Sequence, residues 1–321
     1  MKRLRTHNLT KLVFVLIALN LFSAVVFTQA PTPTPVPTIN NPPQYSVLSD
    51  FKPSSILIFP KYTSNASAPQ LGDTQINITN TSQTLDINIH LFAVDGSSCS
   101  VADSFISLTR NQTATLLMSD FDPGVTGYIV ALATDGGSNK LNWLIGDEYI
   151  RETDGRQANI QAIGIAKISD NLIPDDGAGS GLLVFDGIQY ERLPAAIGLS
   201  NFNSQVTDST QINLLTPTSN LAIGTPPPST RLFTIVYNDT ETAFSTSISV
   251  SCYSTFLLNS LRITGGLNTQ IPAGRTGWIR FNGSGKPIFG YAQNRGAIFN
   301  GGHNMHVLQL LTTYTITVPV F

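Results

Sequence analysis

The chain has 321 residues, which is enough for two domains that each bury a hydrophobic core. Charged residues make up only 12% of it, about half the share that soluble domains usually carry, and the net charge is -2. A chain this poor in lysine and arginine can neutralise few phosphates, so binding to nucleic acid is not expected.

The first thirty residues have the three-part pattern of a secretory signal. Several lysines and arginines precede position 12, residues 12–27 are apolar apart from Asn20 and Ser23, and a polar segment follows. This pattern predicts export to an extracytoplasmic location, secreted or on the cell surface. Cleavage after Ala24 or Ala30 would release the protein, whereas an uncleaved segment would act as a signal anchor, and the sequence leaves both open. Contact with a membrane is expected only through this N-terminal segment.

Residues 31–44 form a Pro/Thr-rich spacer. Proline fixes φ and removes a backbone donor, so this segment should be extended and lie outside any sheet. It would hold the folded part of the protein away from a membrane or wall.

Short strands separated by turn residues account for the rest of the chain. Residues 85–94 alternate most clearly, with Ile87, Ile89, Leu91 and Ala93 on one face, and no later segment keeps a helical period. The predicted strands are 54–59, 74–79, 85–94, 105–108, 113–118, 128–133, 141–145, 160–168, 182–185, 195–199, 211–215, 232–237, 247–251, 261–264, 277–281, 288–291, 305–311 and 312–320. Their spacing predicts an all-β protein of antiparallel sandwich type.

A six-residue pattern, Gly-X-Thr-Gly-aromatic-Ile, occurs at residues 124–129 and again at 274–279. Three weaker matches keep the same order along the chain: Asn80 with Asn238, Ile145-Gly146 with Phe289-Gly290, and Asn159-Ile160 with Asn304-Met305. Collinear matches of this kind indicate a duplicated unit.

The duplication predicts two tandem antiparallel β-sandwich domains, Ig-like or jelly-roll-like, at residues 45–168 and 182–321. The Gly/Asp-rich residues 169–181 would link them. Residues 182–215 could belong to the second domain or add strands to the first.

The first copy resembles a repeat found in uncharacterised secreted bacterial proteins. The resemblance rests on Leu-Ile-Phe-Pro at 57–60, Asp-Thr-Gln-Ile-Asn-Ile-Thr-Asn-Thr-Ser at 73–82 and Gly-Tyr-Ile-Val-Ala at 127–131, and it covers residues 55–166. It implies a secreted bacterial protein with extracellular all-β domains and unknown role, and it carries over no catalytic residue.

Cys99 and Cys252 are the two cysteines. In an oxidising compartment they could form an inter-domain disulfide, remain as buried thiols or link to another chain. We expect them to be unpaired, because equivalent positions in tandem domains usually lie far apart.

Asp170, Asp175 and Asp176 form a weak candidate site for calcium, since carboxylates clustered in a glycine-rich loop suit that ion. Their spacing matches no calcium-loop pattern, and a solvated linker explains them equally well. No other cofactor is expected.

Trp143, Trp278 and Tyr128 are weak candidates for ligand binding. Tyr128 and Trp278 occupy the same position in the two copies of the glycine motif, where an exposed ring could stack on a sugar. The alternative is that a large aromatic residue beside a tight turn packs into the core.

No catalytic site is expected. The sequence contains no nucleophile-elbow, zinc-protease or phosphate-loop motif, and its adjacent acids, such as Asp147 and Glu148, lie at turns or strand ends. We therefore expect an exported, non-catalytic, structural or adhesion-type protein of unknown specific role, for which surface glycans or other envelope proteins are candidate partners. A carbohydrate-binding module is the first alternative, and a secreted hydrolase with an unrecognised site is the second.

Overall fold

A computed structural model describes residues 52–134, 140–175, 177, 179–224, 229–295 and 300–319. The predicted signal and spacer, residues 1–44, lie outside the described residues. The expected all-β class is confirmed: strands dominate, and the helical segments among the described residues are two four-residue turns, Met118–Phe121 and Leu267–Gln270, and a 3-10 turn, Leu258–Ser260. No helix in the described part of the chain is long and apolar enough to cross a membrane.

Twenty strands are formed by the described residues. The first ten are β1 (Ile56–Thr63), β2 (Asp73–Asn80), β3 (Ile87–Asp95), β4 (Val101–Leu108), β5 (Thr113–Leu117), β6 (Thr126–Thr134), β7 (Leu144–Arg151), β8 (Gln157–Gln161), β9 (Ile163–Ile165) and β10 (Ser180–Val184). The second ten are β11 (Pro194–Leu199), β12 (Gln211–Leu215), β13 (Thr230–Asn238), β14 (Ala243–Val250), β15 (Tyr253–Leu257), β16 (Gly277–Asn282), β17 (Phe289–Arg295), β18 (Asn300–Asn304), β19 (His306–Leu310) and β20 (Thr315–Pro319).

The strand order of the first half recurs in the second with every strand number raised by ten. In the first half, sheet I has the order β5-β2-β7-β8 and sheet II the order β4-β3-β6-β1-β9. In the second half, sheet III has the order β15-β12-β17-β18 and sheet IV the order β14-β13-β16-β11-β19. The two remaining strands, β10 and β20, pair with each other as an antiparallel ribbon.

Three large hydrophobic cores and one small cluster, which joins β7 and β8 to β17, hold the described sheets together. Leu57, Phe59 and Ile129 of sheet II meet Ile76 and Ile78 of sheet I in the first core. The second core lies between sheets III and IV and includes Ile212, Leu214, Val236, Ile279 and Phe281. The third contains Ile56, Ile58, Tyr128 and Val130 of sheet II, Leu215 and Phe289 of sheet III, and Leu183, Ile316 and Val318 of the ribbon. The third core therefore joins the two halves.

Sheet II is buried on both of its faces. Successive residues of a strand point to opposite sides, so Ile56 and Ile58 enter the shared core while Leu57 and Phe59 enter the core against sheet I. For this reason β1 and β6 contain continuous apolar runs, at residues 56–60 and 128–133. By contrast, β14 is covered on one side at most, and its residues before Val250 alternate between exposed and half-buried.

The sequence left the assignment of residues 182–215 open, and these residues are divided between the β10–β20 ribbon and the sheets of the second half. β10 pairs with β20 over the shared core, and β11 and β12 lie in sheets IV and III. The predicted linker, residues 169–181, ends within β10, which begins at Ser180.

The repeated glycine motif performs the same backbone task in both halves. Gly124 and Gly274 adopt φ values of +84° and +76°, which favour glycine. A Cβ on Gly127 would lie 1.8 Å from the carbonyl oxygen of Val94, and one on Gly277 would lie 2.4 Å from that of Tyr237. Each motif thus turns the chain and brings the strand that it leads into, β6 or β16, close to the backbone of a neighbouring strand.

Of the three weaker repeat matches, one joins equivalent residues and two do not. Gly146 pairs with Ile78 and Gly290 with Leu214, so the Ile145-Gly146 match to Phe289-Gly290 lies on equivalent strands. Asn80 ends β2, but Asn238 ends β13, where it pairs with Gly277 as Asp95 pairs with Gly127. The Asn80–Asn238 match is therefore wrong, and Asp95 is the equivalent of Asn238.

The register also shows a repeat that the sequence interpretation missed. With Ile78 equivalent to Leu214, the sequence Thr-Gln-Ile-Asn at residues 74–77 aligns with the identical Thr-Gln-Ile-Asn at 210–213. The Asn159-Ile160 match is displaced by two residues, because Ala162 donates its N–H to Gly146 as Met305 donates to Gly290.

Two strands were not predicted, and one predicted strand is irregular. β15 was missed, and so was β18, whose sequence Asn-Gly-Gly-His-Asn reads as a turn. β18 is held by neighbours instead: Asn300 Nδ2 donates to the Gly155 carbonyl at 2.9 Å and Asn304 Nδ2 to the Gln161 carbonyl at 2.7 Å. Residues 261–264, which were predicted as a strand, form an irregular connection.

The two cysteines form a disulfide, so the expectation that they stay unpaired was wrong. Cys99 lies in the turn between β3 and β4, whereas Cys252 lies between β14 and β15, and their Cα atoms are 6.0 Å apart. They do not occupy equivalent positions, and this is why they can meet where the first half packs against the second. The bond is a covalent link between the halves.

Replacing both cysteines in the variant Cys99→Ser/Cys252→Ser should lower the free energy of unfolding by about 2–5 kcal/mol, because the unfolded chain regains the entropy of a long closed loop. Urea unfolding of the variant and of the oxidised and reduced wild-type protein checks this. The reduced wild type should behave like the variant, and equal midpoints for all three samples would contradict the prediction.

Candidate functional site

An aromatic pair stands on the outer face of sheet IV. Tyr237 on β13 lies opposite Trp278 on β16, and because Ile279 points into the core, Trp278 points away from it. The two rings are stacked, with centroids 4.5 Å apart and planes inclined by 9°. Trp278 is nevertheless 39% exposed, so the stacked pair presents a rigid aromatic surface to solvent.

A groove runs beside this aromatic pair. The next strand, β11, contributes Gly198 and the neighbouring Ser200, which are too small to fill the space next to Trp278. Leu308 and His306 of β19 form the opposite wall. The resulting cavity has a volume of about 630 Å³. We refer to it as the aromatic groove.

Polar groups from the turn between β13 and β14 line one end of the aromatic groove. Asn238 organises this turn by accepting hydrogen bonds from the backbone N–H groups of Thr240 and Thr242. Asp239 pairs with Arg275 at 2.8 Å, and Glu241 lies in the left-handed region with φ of +62°. The groove therefore combines an aromatic wall with two carboxylates, groups that can accept hydrogen bonds from hydroxyls, and with the side chain of Asn238.

Tyr128, the equivalent of Trp278, is wholly buried, so its candidacy as a ligand-binding residue was wrong. Its ring lies in the core shared by the two halves, and its hydroxyl accepts a hydrogen bond from the N–H of Thr218 at 2.9 Å. The glycine motif directs its aromatic residue to the outer face of both five-stranded sheets. In sheet II the second half covers this face. In sheet IV the same face is open, so Trp278 is exposed to solvent.

The other sequence candidates lie apart from the aromatic groove. Trp143 precedes β7 and is 41% exposed, but it is not among the groove-lining residues. Asp170 pairs with Lys140 at 3.4 Å, Asp175 accepts the N–H of Gly177, and Asp176 lies outside the described residues. Within the part of the chain that the structure describes, no three Asp, Glu, His or Cys side chains are grouped so that they could hold a metal ion.

A second, buried group of polar side chains lies between the halves. β9 pairs with β1 only at Ile56, Leu57 and Ile58, and Lys61 lies beyond the end of that pairing. Lys61 is only 2% exposed, and its Nζ donates to Glu152 Oε1 at 2.6 Å and to Gln211 Oε1 at 2.8 Å. We call Lys61, Glu148, Glu152 and Gln211 the buried polar cluster.

Glu148 is the most deeply buried acid of this cluster. It is 0% exposed, and neither carboxyl oxygen has a hydrogen-bond partner. Burial raises the pKa of Glu148 well above its usual range, although the ammonium group of Lys61 opposes the shift. Burial likewise lowers the pKa of Lys61, against the opposing effect of Glu152.

The sequence interpretation missed this cluster because its members come from three sheets. Lys61 follows Pro60 at the predicted end of a strand, and Glu148 was considered only as the neighbour of Asp147. On β7 these two acids point to opposite faces, so Glu148 is enclosed while Asp147 accepts a hydrogen bond from Asn77 Nδ2 at 3.0 Å. Asn77 and Gln211 belong to the two identical Thr-Gln-Ile-Asn segments. This repeated sequence was therefore a signal in the sequence for the strands on which these two residues lie.

No protein-family model matches the chain, and no curated protein matches it. The resemblance to secreted bacterial repeat proteins rests on the motifs quoted above.

The variant Glu148→Gln should gain stability relative to wild type as the pH rises. A carboxyl group whose pKa is higher in the folded chain favours folding while it is protonated, and this contribution is lost as the pH climbs from the usual carboxyl range toward the raised pKa. The glutamine cannot ionise and avoids this loss. The difference should grow by about 1.4 kcal/mol for each pH unit over which only the unfolded chain is ionised.

Urea unfolding at about pH 5 and about pH 8 measures this difference, with Asp147→Asn as the control for loss of a neighbouring carboxyl outside the cluster. A difference between Glu148→Gln and wild type that is the same at both pH values would contradict a raised pKa at Glu148.

Proposed function

We propose that this is an exported, non-catalytic protein of the cell surface or extracellular space, with an adhesive role in which the aromatic groove binds carbohydrate. The observation that carries the proposal is the exposed, stacked pair of Tyr237 and Trp278 beside an unfilled groove. A structural role without a ligand gives no reason for a large aromatic pair in solvent next to small residues.

The chemistry of the aromatic groove fits a sugar. A pyranose ring has an apolar C–H face that packs on an indole ring and hydroxyls at its edge that donate hydrogen bonds. Trp278 is held in place by Tyr237, so little side-chain freedom would be lost on binding. Asn238, Asp239 and Glu241 stand where hydroxyls at the edge of a stacked sugar would need acceptors.

Export is supported by two independent features. The N-terminal sequence has the pattern of a secretory signal, followed by a Pro/Thr-rich spacer. The Cys99–Cys252 disulfide requires an oxidising compartment to form and persist. Both are expected of a protein that acts outside the cytoplasm.

We further propose that the folded part consists of two tandem β-sandwich domains that arose by duplication. Sheets I and II would form the first sandwich, and sheets III and IV the second. The matching strand orders, the two glycine motifs and the two Thr-Gln-Ile-Asn segments support a common origin. The duplicated face that carries Tyr128 became an internal interface, while the face that carries Trp278 stayed available to a ligand.

A hydrolase is less well supported. Glycoside cleavage needs two carboxyl groups on either side of a substrate. Glu148 and Glu152 are instead enclosed with Lys61 between the halves, and Asp239 at the aromatic groove is paired with Arg275.

The variant Trp278→Ala should weaken glycan binding at least about tenfold, because loss of the stacking face removes on the order of 1.4 kcal/mol or more of contact energy. A glycan array would identify the sugar, and titration calorimetry would measure affinities for wild type and variant. Trp143→Ala is the matched control, since Trp143 is equally exposed but lies elsewhere.

Ser200→Trp, which would fill the aromatic groove while leaving Trp278 in the sequence, should also abolish binding. Undiminished binding by folded Trp278→Ala, or wild-type protein that binds no glycan, would contradict the proposal.

A further inference from the structure

Three side chains in the buried polar cluster bring together the components of an amide-forming reaction. Lys61 supplies a primary amine, Gln211 a carboxamide, and Glu152 a carboxyl group that contacts both of them. Lys61 is carried by β1 of the first half and Gln211 by β12 of the second. We propose that Lys61 and Gln211 become joined by an intramolecular amide cross-link, formed within the folded chain with release of ammonia.

The two reacting groups are held in contact by the fold. Lys61 Nζ lies 2.8 Å from Gln211 Oε1, and the carbonyl carbon that it would attack is the atom bonded to that oxygen. Both side chains are buried, so water has little access to compete as the nucleophile. In well-oriented intramolecular reactions, holding an amine against an acyl group is equivalent to an effective concentration of up to roughly 10⁵–10⁸ M, which is what an otherwise slow aminolysis requires.

Glu152 is placed to move the proton. Its Oε1 accepts a hydrogen bond from Lys61 Nζ at 2.6 Å, and its Oε2 accepts one from Gln211 Nε2 at 3.4 Å. One carboxylate therefore touches both the attacking and the departing nitrogen. It can take a proton from the lysine amine as the new bond forms and give it to the amide nitrogen as the old bond breaks.

The reaction balances without any further reagent. The bond from Lys61 Nζ to Gln211 Cδ forms, the bond from Gln211 Cδ to Nε2 breaks, and the nitrogen leaves as ammonia. No electron is transferred to or from an external group. Glu152 ends the reaction in the protonation state in which it began.

Two neighbouring residues favour the reactive state. Asn213 Nδ2 lies 3.5 Å from Gln211 Oε1, on the side where negative charge develops as the carbonyl is attacked. The attacking amine must be neutral, and burial lowers the pKa of Lys61 in that direction. Burial also raises the pKa of Glu148, which disfavours a second negative charge that would keep the lysine protonated.

The cross-link would join the same two halves as the Cys99–Cys252 disulfide, but it would survive reduction. An exported protein could then lose its disulfide and keep a covalent connection between β1 and β12. The inference concerns the interior of the protein and does not depend on the proposed carbohydrate binding.

Mass spectrometry of the purified full-length protein tests this inference. After reduction and proteolysis, wild type should yield a branched peptide that contains both Lys61 and Gln211 and is lighter than the two linear peptides by one ammonia molecule. Glu152→Gln retains both reacting groups but lacks the proton acceptor, and Lys61→Arg lacks the nucleophile, so both should yield only linear peptides. Lys52→Arg, which alters a Lys–Glu pair with Glu191 elsewhere, should retain the branched peptide.

Linear peptides alone from folded wild type would overturn the proposal. A branched peptide lighter by one water molecule would also overturn it, because Glu152 rather than Gln211 would then be the acyl donor. If a variant failed to fold, the wild-type peptides would still decide the question.

Discussion

Burial of sheet II on both of its faces is the constraint on which the rest of the structure depends. One face packs on sheet I and the other on sheet III and the β10–β20 ribbon. A central sheet of this kind needs apolar residues at consecutive positions, and β1 and β6 supply them. A polar side chain at the edge of such a sheet is also enclosed, and it is stable there only if it has hydrogen-bond or charge partners. Lys61 is such a residue, and the other members of the buried polar cluster are its partners.

The same constraint explains why two similar halves have different surfaces. Tyr128 and Trp278 occupy equivalent positions after equivalent glycine turns, but only the first is covered by the other half. The end of a stack of sheets must leave one outer face without an internal partner, and in this chain that face carries the aromatic groove. Under the proposed duplication, the position that anchors the interior in one copy became available for recognition in the other.

Much of the secondary structure could be predicted from the sequence, because alternating strands and glycine turns are local signals. The alternation in residues 85–94 predicted β3, and the glycine motif located the starts of β6 and β16. β18 could not be predicted in this way, since its Asn-Gly-Gly-His-Asn sequence is held as a strand by β17 and by contacts to β8. The repeated Thr-Gln-Ile-Asn was visible in the sequence, and it would have corrected the alignment of the halves.

The candidate sites were less predictable, for a physical reason. Whether Tyr128 or Trp278 is exposed depends on which sheet face the other half covers, and the motif itself is the same in both copies. The disulfide and the buried polar cluster both form between residues far apart in the sequence and at non-equivalent positions. No local sequence pattern predicts contacts between such distant residues. The packing of the sheets was therefore needed to interpret Cys99, Lys61 and Glu148.

The central claim is that the two halves share a core and therefore fold as one unit, although the strand order of the first half recurs in the second. Differential scanning calorimetry of the purified protein tests this claim most directly. A single transition, with equal calorimetric and van't Hoff enthalpies, is the predicted result. Two resolved transitions, each with the enthalpy of one half, would show that the shared core does not couple the halves and would contradict the account.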